Sequence, residues 1–243
     1  MHLLKKPVIL LLTIFLVSFA FVFATTKDSP ANKSIITSSS NKNNSDNNTA
    51  LFSELRLSEA GMNQTVFNSA LQGFQKLGMA GSLKRNDIIT IIDFSQPSNK
   101  KRLYVLDLEN KQILFNTLVA HGRNSGTLWA KSFSNNMSSL KSSPGFYVTG
   151  ETYIGDNGYS LRLDGMEKNI NDNARSREIV MHGAPYVDQS AFNSLGFLGR
   201  SWGCPAVPVS DHEAIINTIK DGTCLFIYSP AKSYLKKSVL LNS

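Results

Sequence analysis

Apolar and polar positions change their rhythm several times along this chain. A basic pair, Lys5-Lys6, precedes an apolar run from Val8 to Ala24 that is broken by Thr13 and Ser18 alone. That order predicts a secretory signal over residues 1–24, with Val22-Phe23-Ala24 as a cleavage site. The run is also close to the minimum length of a membrane-spanning helix, so an uncleaved N-terminal anchor is the second reading. No cysteine follows it, and lipoprotein processing is not indicated. Residues 25–50 are mostly Ser, Asn, Lys, Asp and Thr, with too little apolar surface to repay the entropy of ordering, and predict a disordered linker. One globular domain is expected over residues 51–235, followed by a short C-terminal tail at 236–243.

Inside that domain a helical rhythm opens at Ser58-Glu59, places Met62, Val66, Phe67, Ala70, Leu71 and Phe74 at spacings of three and four, and ends near Gly78. Strand-like runs follow at Ile88 to Phe94, Leu103 to Leu108 and Ile113 to Ala120, the last two joined as a hairpin by Glu109-Asn110-Lys111. A polar segment from Gly122 to Ser143 is too long for a turn, and long loops in compact domains are often functional. Strand signals return at Phe146 to Thr149, Leu161 to Leu163 and Ile179 to Met181. Ser210-Asp211 then caps a helix through Lys220, Gly222 ends it, and Cys224 to Tyr228 reads as a buried strand. The pattern is that of a mainly β domain with two flanking helices.

Charge changes this picture little. The chain carries 25 Lys and Arg against 18 Asp and Glu. Without residues 1–24 it stays basic, which gives ordinary solubility and, more sharply, attraction to an anionic wall polymer or membrane surface. An export signal and the absence of dense basic clusters interleaved with aromatics argue against nucleic acid. No His-x-x-His or Cys-x-x-Cys spacing and no glycine-rich nucleotide loop occurs, so neither a metal nor another cofactor is expected. A disulfide between the two cysteines is the obvious reading of an exported chain. Cys224 lies in an apolar strand pattern, however, where cysteine serves as a small hydrophobe, and this leaves Cys204 as a free thiol.

Cys204 is the candidate nucleophile. It lies in Gly199-Arg200-Ser201-Trp202-Gly203-Cys204-Pro205-Ala206-Val207. There Gly203 permits a sharp turn and Pro205 fixes φ. The amides of Trp202, Gly203 and Cys204 are candidates for an oxyanion hole. A thiol needs a base, and His182, following Ile179-Val180-Met181, ends a strand at a suitable place. The order of histidine before cysteine argues against papain-like peptidases. His121 is the rival base, with a structural role in supporting the long loop as its alternative. Arg200 suits a substrate carboxylate. Trp202 reads as a wall that packs the turn or excludes water, Tyr147 and Tyr153 as packing residues, and His212 as a surface residue of the last helix.

Four segments together, Val119-Ala120-His121-Gly122-Arg123, Ser142-Ser143-Pro144-Gly145-Phe146-Tyr147, His182-Gly183-Ala184 and Arg200-Ser201-Trp202-Gly203-Cys204-Pro205-Ala206-Val207, resemble the murein L,D-transpeptidase (YkuD-like) family, in its Ser-Trp-Gly-Cys branch. The resemblance implies an L,D-transpeptidase-like β-sandwich or barrel. It places the nucleophile on Cys204 and the base on His182, with the Gly183 carbonyl orienting the imidazole and Ser201, Arg200 and His121 in support. The implied partners are peptidoglycan stem peptides. The implied reaction is attack on the tetrapeptide, loss of D-alanine, and transfer of the thioester to an amine as a 3→3 cross-link. An L,D-carboxypeptidase using water and a wall-binding protein without catalysis are the alternatives. The expected location is the periplasm or cell envelope.

Overall fold

A computed structural model describes residues 46–242. The proposed signal, and the linker up to residue 45, lie outside the described residues. Residues 46–54 form a helix, α1, so the last part of the predicted linker is ordered. The reason lies just downstream, where Phe52 and Leu55 are buried and give this polar segment an apolar anchor.

The main helix, α2 (Gln64–Met79), starts later than the apolar rhythm predicts. Asn63 sets the start, because its side chain accepts the Thr65 N–H at 2.8 Å and satisfies one of the unpaired donors of the first turn. Residues 58–61 form turns instead. Val66, Phe67, Ala70, Leu71, Phe74 and Leu77 make its buried stripe.

Eight strands form one sheet: β1 (Ile88–Asp93), β2 (Leu103–Asp107), β3 (Gln112–Thr117), β4 (Gly145–Gly155), β5 (Gly158–Gly165), β6 (Val180–Gly183), β7 (Ala206–Val207) and β8 (Cys224–Tyr228). Their spatial order is β3-β2-β1-β8-β4-β5-β6-β7. β2 and β3 form the expected hairpin, and β4 and β5 form a second one turning between Gly155 and Gly158. β1 and β8 run parallel at the centre and are buried along their whole length, which is why both read as continuous apolar runs. Period-two alternation divides their side chains between two cores. Ile89, Ile91, Cys224 and Phe226 pack under α2, whereas Ile88, Ile92, Leu225 and Ile227 pack on the other face. Helix α4 (His212–Ile219) covers that second face through Ile215, Ile216 and Ile219.

The sheet is nearly closed on itself. Ala120, just beyond β3 at one edge, bridges Ala206 in β7 at the other, and Gly122 bridges Ser201. The domain is thus mainly β and barrel-like, but it has more helices than the two expected. Helix α3 (Gln189–Leu195) has an Asp188 cap and a left-handed Gly196 at its end. The predicted tail at 236–243 is also helical, in α5 (Lys232–Lys237) and α6 (Val239–Asn242). The buried Glu167 carboxylate holds that region, accepting the Ser238 hydroxyl and, at 3.4 Å, the Tyr234 hydroxyl. Lys76 of α2 donates to the Leu240 carbonyl at 2.9 Å.

Gly73 is the tightest helix–sheet contact. A Cβ there would stand 2.0 Å from the Phe146 ring, which stacks on Phe226 with centroids 4.1 Å apart. Gly73→Ala gains about 1 kcal/mol of helix propensity, against an overpacking cost of about 1–3 kcal/mol and the loss of that stacked geometry. The expected outcome is a lower midpoint of thermal unfolding, by a few degrees. An unchanged or higher midpoint would mean that the ring yields freely.

Candidate active site

Three segments far apart in sequence meet where the sheet closes: residues 119–123, residues 177–183 and residues 200–207. Gly203 shapes the last of them. Its φ of +134° is a conformation that disfavours side chains, and a Cβ would stand 2.8 Å from the Lys141 carbonyl. Two serines brace the turn. The Ser201 hydroxyl donates to the Cys204 carbonyl at 2.6 Å and accepts the Gly203 N–H at 3.1 Å. The Ser142 hydroxyl donates to the Gly203 carbonyl at 3.0 Å and accepts the Gly122 N–H at 3.0 Å.

The oxyanion-hole expectation is corrected in part. The Gly203 amide is already committed to Ser201. The Trp202 amide donates to no acceptor among the described residues and the Cys204 amide only to its own sulfur, so two of the three candidate donors are not spent on another residue.

Cys204 and Cys224 are both free thiols. Cys224 is fully buried in β8 as a small hydrophobe. Cys204 is half-buried, and its Sγ accepts the Val180 N–H at 3.5 Å and donates toward the Glu178 carbonyl at 3.6 Å. Burial pushes this thiol above its usual range, opposed by the Val180 amide and by the charge of Arg177. The resting side chain is therefore a thiol, and a base has to take its proton.

His182 stands in β6, paired with Ser160 on one side and with Ala206, two residues beyond the cysteine, on the other. Its Nδ1 lies 2.9 Å from the Gly183 carbonyl, which can only accept. The proton is therefore on Nδ1, and Nε2 keeps a free lone pair. Burial lowers the pKa of this imidazole and nearby His212 lowers it further, against the pull of the Gly183 carbonyl. The ring is thus neutral near pH 7 and in the tautomer a base requires. Among the described residues, Nε2 and the Cys204 thiol share no hydrogen bond; the thiol is turned toward Glu178 instead.

His121 is placed differently. Its Nδ1 accepts from the Arg102 guanidinium at 2.8 Å, and its Nε2 is buried with no hydrogen-bond partner among the described residues. Burial and the Arg102 charge drive its pKa down to about 3. Its carbonyl accepts the Ser201 N–H at 3.1 Å, which ties this segment to the cysteine turn. Trp202 does not pack that turn, being 73% exposed. Tyr147 is a packing residue, fully buried, with its hydroxyl donating to the Ser143 carbonyl at 2.9 Å. His212 is half-buried rather than on the surface, and its ring fills the space a Gly183 side chain would need, 2.7 Å from that Cβ position.

One residue of the site has no signal in the sequence. Arg177 lies in a polar stretch that reads as a loop, yet its guanidinium is half-buried beside the cysteine turn. Nη2 stands 3.4 Å from the Cβ position of Gly203 and donates to the Lys141 carbonyl at 2.6 Å. Nη1 donates to the Ser134 carbonyl at 2.8 Å and the Ser143 hydroxyl at 2.5 Å. All its partners are neutral, so the charge is left available to a developing thiolate. The same bonds pin the long loop of residues 122–143 against the turn.

Residues 58–228 match the family model of the L,D-transpeptidase catalytic domain, and the chain belongs to that family. Solved structures to which it is similar include an L,D-transpeptidase from Mycobacterium smegmatis, 10% identical over 59% of this chain and 59% of that one, with a TM-score of 0.38. L,D-transpeptidase 3 from Mycobacterium tuberculosis is 14% identical over 59% of this chain and 61% of its own, with a TM-score of 0.37. The helical cell shape determining protein Pgp2 from Campylobacter jejuni is 18% identical over 71% of this chain and 61% of its own, with a TM-score of 0.40. The chain spans at most 61% of the length of these three. No curated protein matches it.

Removing the Arg177 charge is expected to make the thiolate harder to form. Arg177→Gln should move the pH profile of Cys204 alkylation by iodoacetamide to higher pH, with Arg177→Lys shifted less. Coincident profiles would show that the Arg177 charge does not act on the thiol.

Proposed function

We propose that this protein is an exported L,D-transpeptidase of the bacterial cell envelope that joins peptidoglycan stem peptides through a Cys204 thioester. The observation that carries this reading is the β6–β7 pairing of His182 with Ala206, which brings a neutral histidine with Nε2 free to accept alongside the braced turn that holds a free thiol two residues earlier. Membership of the L,D-transpeptidase catalytic domain family supports the substrate class.

In this mechanism the Cys204 side chain leaves the Glu178 carbonyl and gives its proton to His182 Nε2. Sγ then attacks the carbonyl carbon of the third stem residue. The oxyanion forms against the Trp202 and Cys204 amides, each such donor contributing on the order of 3 kcal/mol at the transition state. As the intermediate collapses, the bond to D-alanine breaks, the leaving amine takes the proton from His182, and a thioester remains. A side-chain amine of a second stem attacks that thioester, loses a proton to His182 and expels the thiolate, leaving a 3→3 amide. With water in place of the amine, the same steps make a carboxypeptidase. The resting thiol's turn toward Glu178 favours one further reading, a wall-binding domain without turnover, which the same experiment separates.

The test is mass spectrometry of products from a disaccharide-tetrapeptide substrate. Cys204-dependent dimers lacking one D-alanine are expected. Tripeptide monomers alone would replace transfer by hydrolysis, and unchanged substrate would sink the enzyme reading. Cys204→Ala should abolish turnover, and His182→Ala should cost about 100-fold or more.

The pH dependence follows from His182. Its folded pKa lies below the ordinary imidazole value of 6.5. The base form therefore persists into mildly acidic solution, and the acid limb of kcat/KM is expected below pH 6.5. A limb above that value would assign the base elsewhere.

A further inference from the structure

Next to the cysteine turn lies an open cleft of about 300 Å³ bounded by Arg123, Phe197, Gly199, Arg200 and Trp202. Its chemistry is one-sided. Arg200 Nη1 donates to the Arg123 and Gly126 carbonyls at 3.0 and 3.1 Å, and its guanidinium lies 5.0 Å from the centre of the Phe197 ring. These contacts fix the group while leaving its other nitrogens unbonded. Arg123 is exposed, and its guanidinium has no partner among the described residues. No carboxylate among the described residues forms an ion pair with either arginine, whereas Arg56, Arg85, Arg162 and Arg175 all have one.

The cleft is also tied to the thiol. Trp202, two residues before Cys204, lines the cleft and is 73% exposed. Gly199 forms the floor against Tyr186, where a Cβ would stand 2.3 Å from that side chain. Burial pushes the Tyr186 phenol up to about 12, and Cys204 adds to that direction only when it ionises. Two residues of backbone span at most about 7 Å. In a donor peptide whose last residue leaves, the terminal carboxylate carbon is two bonds, roughly 2.5 Å, from the departing nitrogen, so a group that grips it has to stand beside the thiol, within the reach that two residues of backbone allow.

We propose that the Arg123–Arg200 cleft binds the terminal carboxylate of the acyl donor, selecting peptides that end in a free acid one residue beyond the scissile amide. The assignment rests on the reading of Cys204 as the acylated residue, and it adds the feature of the donor that is recognised. Guanidinium groups suit it because they present paired donors to the two carboxylate oxygens.

The experiment is calorimetric titration of the full chain carrying Cys204→Ala, which blocks turnover, with a stem tetrapeptide ending in D-alanine and with its C-terminal amide. The acid should bind roughly tenfold tighter than the amide. That preference should vanish in Arg123→Gln and Arg200→Gln and persist in Arg123→Lys. Arg123→Gln removes no contact within the protein, so a folding defect does not confuse the result. Equal affinities, binding of neither peptide, or a preference that survives Arg123→Gln overturns the assignment. Turnover of the acid donor by the unaltered chain, measured beside it, tests the transferase reading separately: products formed without an acid preference leave that reading standing and remove the cleft.

Discussion

Closure of the sheet is the constraint on which the site depends. Ala120 N–H donates to the Ala206 carbonyl at 2.8 Å, Ser201 N–H to His121 at 3.1 Å and Arg123 N–H to Ser201 at 2.8 Å, so backbone bonds join segments some eighty residues apart. Each contributes only about 1 kcal/mol net. Their collective effect is geometric, because they fix the segment entering the long loop against the segment carrying the thiol. They also set β7 beside β6, and thereby the cysteine turn beside His182.

Behind that seam, positive charge is buried without a direct ion pair among the described residues, the Asp93 carboxylate acting on Arg102 only at longer range. Arg102 is fully buried, donates to the Gln96 and Val119 carbonyls and to His121, and lies 4.7 Å from the centre of the Phe94 ring. Burial lowers its pKa to about 9, so it stays a cation near neutral pH. Arg177 follows the same rule with carbonyls and hydroxyls. Carbonyls solvate such a cation without cancelling its charge, so it still acts on its surroundings. At Arg102 the effect is to keep His121 neutral and immobile; at Arg177 it is to favour a thiolate that burial otherwise opposes.

The site thus separates two tasks. The thiol is sheltered and rests protonated, guarded by the Glu178 carbonyl, while the neighbouring Trp202 and Arg123 face solvent. In the proposed mechanism such a thiol needs a base, and the Gly183 carbonyl holds the His182 imidazole in the tautomer that a base requires. Three glycines make room for this arrangement for different reasons: Gly203 for its dihedral angle, Gly183 for the His212 ring and Gly199 for Tyr186.

The sequence by itself determined most of the strands and the family. Continuous apolar runs located β1, β2 and β8, because strands buried on both faces lose the polar alternation, and Gly203, Cys204 and the family segments located the turn. The start of α2 was misread because the apolar rhythm extends through Met62, while the local capping bond of Asn63 decides the boundary. The helical tail was missed because its order comes from contacts with Glu167 and Lys76, far away in sequence. Only the tertiary structure decided that His121 is a buried support, that the Gly203 amide is spent on Ser201, and that Arg177 stands beside the thiol. In each case the deciding partner is distant along the chain, and no local pattern records which loop carbonyl or hydroxyl a side chain will meet.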